Sequence, residues 1–121
     1  MKKNITCLIM CAASCAMFAQ TSGEEAGHIW IDLGLPSGVK WASTNIGANR
    51  PQDEGYYYAW GETTLKTDFR WATYSHGAGQ NSLTKYSYSD GVLSLDAADD
   101  VVSCVWGGTW RMPTKEEWRE L

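Results

Sequence analysis

An irregular, loop-rich α+β domain of short antiparallel strands with a terminal helix is the fold class this sequence predicts. Three observations predict it. Apolar and polar residues alternate only over short runs, the period-two mark of half-buried strands. Clusters of Gly, Pro, Asn, Asp and Ser separate those runs and carry turn chemistry. A complete helix start is written once, at Thr114-Lys115-Glu116-Glu117 near the carboxyl end. There Thr114 is the N-cap and Glu117 closes a capping box, with two acids at the positive end of the helix dipole.

The elements follow in chain order. Lys2 and Lys3 precede an uncharged apolar stretch, Ile5 to Ala19, too short to span a bilayer and followed at once by polar sequence. Residues 1–19 read as a secretory signal cut after Ala19, although Met17 is large for the −3 position. The competing reading is a lipoprotein signal acylated at Cys15 behind Ala12-Ala13-Ser14; Cys11 fits less well because Met10 precedes it. Residues 20–27 read as a flexible lead and 28–121 as the domain. His28 to Leu33 alternates, with Ile29, Ile31 and Leu33 on one side and Trp30 and Asp32 on the other, as in a half-buried strand. Leu35-Pro36-Ser37-Gly38 is a turn, and Val39 to Ala42 returns as a second strand. Gly55-Tyr56-Tyr57-Tyr58-Ala59-Trp60-Gly61 reads as an aromatic strand bounded by glycines. Phe69 to Tyr74, Leu83 to Tyr88 and Val92 to Leu95 are weaker extended candidates. Asp96 to Val102 opens like a capped helical turn that carries Val101, Val102 and Val105 inward. Trp106-Gly107-Gly108-Thr109-Trp110 is a tight turn flanked by indoles. In the last helix Trp118 and Leu121 share one face. The chain ends there, so the packing partners of that face are expected in sequence beyond Leu121.

Composition narrows the function classes. The 121 residues suit one domain, and a net charge of −4 argues against nucleic acid as a partner. Seven Trp and six Tyr suit a core, and equally an interface or a sugar-stacking surface. Past the signal, Cys104 stands alone and cannot form an internal disulfide. It reads as a small buried hydrophobe. The alternatives are a reactive thiol, which no neighbouring His or Lys supports, and a partner Cys further downstream.

Several blocks in order resemble the Fibrobacter succinogenes major paralogous domain. They are Ile31-Asp32-Leu33-Gly34-Leu35-Pro36-Ser37-Gly38-Val39-Lys40-Trp41-Ala42 with Asn45-Ile46-Gly47-Ala48, then Asp53 to Thr63, Leu83-Thr84-Lys85-Tyr86, Asp96-Ala97-Ala98, and Trp106 to Thr114 with Glu117. The resemblance implies a secreted or surface protein of gut-type Bacteroidetes and a fold like those of C-type lectins and formylglycine-generating (sulfatase-modifying) enzymes. It implies also that this chain is the amino-terminal part of the domain, since the family continues with further strands. It carries no catalytic residues across. Trp106, Gly107, Gly108, Trp110, Arg111, Pro113, Thr114 and Glu117 form its structural motif.

Candidate sites are few. His28 and His76 lack companions at zinc spacing. Asp96, Asp99 and Asp100, with Asp90, are the one candidate for Ca²⁺, and a capped turn on a solvated face is the preferred reading. No other cofactor is expected. Glu54, Glu62, Asp53 and Glu117 offer carboxylates for acid–base chemistry, a pattern any acidic domain supplies. Binding is the favoured activity. Tyr57, Trp60, Glu62 and Asn45 are the expected contacts, with rings for sugar CH faces and polar groups for hydroxyls. The expected partner is an extracellular glycan or protein; a membrane enters only through a lipid anchor at Cys15. The alternatives are a structural surface domain without a ligand and, behind it, a carboxylate enzyme. Arg111 is expected to lock the turn by stacking on Trp110 or pairing with an Asp.

Overall fold

The computed structural model describes residues 21–121. The signal, its cleavage point and the candidate acylation at Cys15 therefore lie outside the described residues. The described chain is a small mixed domain, with a three-stranded antiparallel sheet and two short helices compatible with the α+β class. No helix among the described residues is long and apolar enough to cross a membrane.

The sheet is β1 (Ser22–Glu25), β2 (His28–Asp32) and β3 (Lys40–Ala42), in the order β1-β2-β3. The lead expected to be flexible is a correction: residues 22–25 form β1. Glu25 pairs with His28, leaving Ala26 and Gly27 as a two-residue hairpin turn, both at positive φ (51° and 79°). That geometry matches the twist of the flanking strands. Gly23 lies opposite Trp30, and a Cβ there would stand 2.4 Å from the indole, so the glycine makes room for the ring. Ile31 pairs with Trp41 across β2 and β3. Burial along β2 follows its tertiary neighbours more than its alternation. Ile29 is exposed, whereas His28 and Trp30 are half-buried. The cause is tertiary: the aromatic turn at 106–110 packs against His28.

Between β3 and the helices the chain is mostly irregular. The expected strand at 55–61 does not form. Gly55 and Gly61 both take positive φ and bend its ends, and the backbone bonds of the stretch are Tyr56 N–H to Ile46 O at 2.8 Å and a local turn from Glu62 N–H to Ala59 O at 3.0 Å. Phe69 to Tyr74 contains a 3₁₀ turn at Trp71–Thr73 instead of a strand. Residues 83–88 contribute a single bridge, Leu83 to Gly77, and 92–95 are not strand.

Helix α1 (Val101–Trp106) begins later than the acidic run suggests, because Asp100 is its N-cap. Its side chain accepts from the amides of Val102 at 2.9 Å and Ser103 at 3.2 Å. Val101 and Val102 point inward as expected, at 6 % and 8 % exposure, and are the buried apolar residues among those described; Val105 is exposed. Helix α2 (Lys115–Glu120) has the expected capping box. Thr114 Oγ1 accepts from Glu117 N–H at 3.3 Å, and Glu117 Oε2 accepts from Thr114 N–H at 2.7 Å.

Candidate functional site

The Trp106–Pro113 turn is the junction of the domain, held from three directions. From β1, the Glu25 carboxylate accepts from Thr109 N–H at 2.5 Å and Thr109 Oγ1 at 2.8 Å, and its carbonyl accepts from Trp110 Nε1 at 2.9 Å. The Thr109 amide stabilises the charged form and holds Glu25 below the usual carboxylate range. His28, across the hairpin, stacks on Trp106 at 3.9 Å and 16°, while Trp110 meets Trp106 edge-on at 5.1 Å. From α1, Asp100 spends its second oxygen on Met112 N–H at 2.7 Å, and Ser103 Oγ donates to Trp110 O at 2.9 Å. From α2, Glu117 accepts from Nη1 and Nη2 of Arg111, at 2.8 and 2.6 Å. Arg111 thus ties the turn to α2 through Glu117, where stacking on Trp110 or pairing with an Asp is the sequence expectation. This fork, followed by the Thr114 amide, depresses the Glu117 carboxyl to about 2.

With the turn fixed, one wall of a cleft of about 400 Å³ is set. Its other walls are β3, the 44–56 loop and α2. The cleft is aromatic: Trp41, Tyr56, Trp106, Trp110 and Trp118 line it, and Asn45 and Glu54 lie at its polar side. Trp41 and Trp118 meet at 5.1 Å with planes 64° apart, forming a corner. Trp118 and Tyr56 are each 55 % exposed. The Trp41 indole N–H is out of reach of solvent and without an acceptor among the described residues. Volume and lining match those of ordinary small-ligand sites, which are largely apolar with a few polar groups.

The expected contact residues do not converge. Asn45 lines this cleft and donates to Asp53 O at 3.4 Å. Tyr57 is exposed, as its neighbours Tyr56 and Trp60 are, and lies in an adjoining cleft with Leu65 and Phe69. Its hydroxyl donates to Glu54 at 2.8 Å, which raises the phenol above its ordinary range. Trp60 lines a third cleft with Leu95 and Pro113. Glu62 is engaged with Lys66 and with Ser75, whose N–H and Oγ both lie at 2.7 Å. Burial pushes the Glu62 carboxyl up, and the Lys66 and Ser75 donors together bring it below its usual range. None of the five rings lining the cleft is among the expected contacts. Trp118 alone carried a signal, as an indole on a helix face lacking partners.

The other candidates have other occupations. Lys85 bridges Asp96 at 2.6 Å and Asp99 at 2.5 Å, Tyr86 donates to Asp99 at 2.6 Å, and Asp100 faces backbone amides. Asp90 caps its own turn through Ser87 and Val92 amides. Asp96 and Asp99 thus converge on the Lys85 ammonium, and no group of three or more His, Cys, Asp or Glu side chains placed to hold a metal ion occurs among the described residues. Asp53 pairs with Arg50 and Glu54 with Tyr57. Cys104, expected buried, is exposed on α1 because that helix turns only Val101 and Val102 inward.

Comparison with protein-family models, with curated proteins and with solved structures returned no match.

Proposed function

We propose that this chain is a secreted or cell-surface bacterial recognition module, non-catalytic, that binds a glycan or protein through the tryptophan cleft. The cleft is the observation that carries the reading. Five aromatic side chains from β3, the 56 loop, the 106–110 turn and α2 converge on one opening, with two rings more than half exposed. Large aromatics in that state are costly to leave in water and are the usual anchors of recognition surfaces. The sequence blocks shared with the major paralogous domain, and the targeting segment, support extracytoplasmic placement and a C-type-lectin-like fold. The carboxylates proposed for acid–base work are each held in separate contacts, which favours binding over catalysis.

The test is retention on surface material. The purified chain and a Tyr56→Ala/Trp118→Ala variant are incubated with polysaccharide and protein fractions from bacterial and host mucosal surfaces. Retention by one fraction that the variant loses is the expected result. Equal retention of both proteins, or none, refutes the cleft as a recognition surface.

A further inference from the structure

We infer that the cleft receives an extended peptide segment of a partner protein, which adds to the open edge of β3 as a fourth, antiparallel strand. This rests on the recognition reading above and commits it to one kind of partner. The first ground is the sheet edge. Trp41 pairs with Ile31, and Ser43 N–H donates to Ile29 O at 2.9 Å, so these residues turn their backbone groups towards β2. Lys40 and Ala42 alternate with them and turn theirs away from it. Those N–H and C=O groups have no hydrogen-bond partner among the described residues. The second ground is where that edge lies. Lys40, Trp41 and Ala42 all line the cleft. Trp41 meets Trp118 on one face of the sheet, and Trp106 and Trp110 pack on His28 at the other. A strand laid along this edge therefore finds indoles on both sides and buries both rows of its alternating side chains. The third ground is charge. Lys40 and Glu54 both line the cleft and take part in no ion pair among the described residues. Lys40 opens β3, while Glu54 lies past its other end, where the neighbouring Asp53 carbonyl accepts from Asn45. An antiparallel partner thus begins near Glu54 and ends near Lys40. A basic residue leads it, an aliphatic side chain stands opposite Trp41, and an acid stands opposite Lys40. Lysine at a sheet edge discourages unselective pairing, and that acid answers it.

The experiment titrates the purified chain with the peptide acetyl-Lys-Thr-Val-Ile-Glu-Thr-amide, read by tryptophan emission and by amide hydrogen exchange. Two control peptides accompany it. One has its Lys and Glu exchanged. The other is methylated at the backbone nitrogens of Val and Glu, which removes the hydrogen bonds donated to Ala42 and Lys40 and keeps every side chain. The expected result is saturable binding of the first peptide below about 1 mM, weakened about tenfold or more by either change. Exchange at the Lys40 and Ala42 amides slows in the complex. Lys40→Glu removes the preference for the first peptide over the charge-exchanged one, and circular dichroism checks that this variant is folded. Equal binding of the methylated peptide overturns strand addition and leaves the cleft a recognition surface. If no peptide binds, the inference falls, and the retention assay above decides the recognition reading by itself. Protection of the Lys40 and Ala42 amides that grows with protein concentration, with no peptide present, puts a second copy of the chain on the edge and overturns the inference as well.

Discussion

At the scale of single residues, two carboxylates do most to hold the site. Asp100 is 4 % exposed and answers three backbone amides, two in α1 and one at Met112. Asp100→Ala removes a helix cap and leaves buried donors unpaired, so a loss of about 2–4 kcal/mol is expected. Asp100→Asn keeps one acceptor oxygen and falls between. Urea unfolding of the three proteins checks the order; an alanine variant as stable as wild type contradicts it. Glu117 supplies the pH test. Its carboxyl is depressed to about 2 in the folded chain, against about 4.5 unfolded. A depressed acid contributes stability above its unfolded value and loses it as pH falls through its folded value. The Glu117–Arg111 contribution is therefore full at neutral pH and fades between about pH 4.5 and 2. Arg111 is half exposed to screening water, so we set the contribution at about 1 kcal/mol. Glu117→Gln should lower the melting temperature at pH 7 and narrow the gap to wild type towards pH 2. A gap that stays constant with pH would show that the fork carries no charge-dependent stability.

At the scale of elements, legibility followed how local the determining physics is. Helix α2 was readable because a capping box is written within four residues. The β2–β3 pair was readable because Leu35-Pro36-Ser37-Gly38 carries its turn with it. β1 was not, because Ser22-Gly23-Glu24-Glu25 has no apolar pattern; its strand state comes from pairing with β2 and from Glu25 reaching the 106–110 turn 84 residues away. The aromatic run at 56–60 has strand composition but no pairing strand, and glycines at positive φ bend both its ends. The cleft was illegible for the same reason: Trp41, Tyr56, Trp106 and Trp118 meet only after four elements are assembled. Gly108 tests the junction between them. It sits at φ 61°, and a Cβ there would lie 2.5 Å from Glu25 Oε1. Gly108→Ala combines left-handed strain with displacement of the Glu25 carboxylate from Thr109, and about 2 kcal/mol of destabilisation is expected. Near-UV dichroism should lose the Trp106–Trp110 signal in this variant. An unchanged spectrum and stability would mean that the β1 latch does not hold the turn.

At the scale of the whole molecule, the apolar interior is thin. Val101 and Val102 are the buried hydrophobic residues among those described, while Tyr56, Tyr57, Trp60, Phe69, Trp71, Leu93, Trp118 and Leu121 remain exposed. Two buried valines supply little of the cohesion that a chain of this length needs. Hydrogen-bonded loops, the hairpin latch and partly buried rings supply the rest, and these give way piecemeal, not as one packed unit. The isolated chain should therefore unfold over a broad range at low temperature. Hydrogen exchange should find α2 opening first, since its six residues are too few to hold a helix unaided and Trp118 is half in water. A ligand that closes the cleft covers those same rings and ties α2 to β3 through Trp118 and Trp41. It should raise the melting temperature in proportion to the logarithm of its concentration and slow exchange in α2 before any other element. Calorimetry over a range of protein concentrations discriminates the alternatives. A sharp transition above about 65 °C that is independent of concentration would show an interior far more cohesive than two valines provide. A transition that sharpens and rises with protein concentration would show instead that copies of the chain cover the aromatic face for one another.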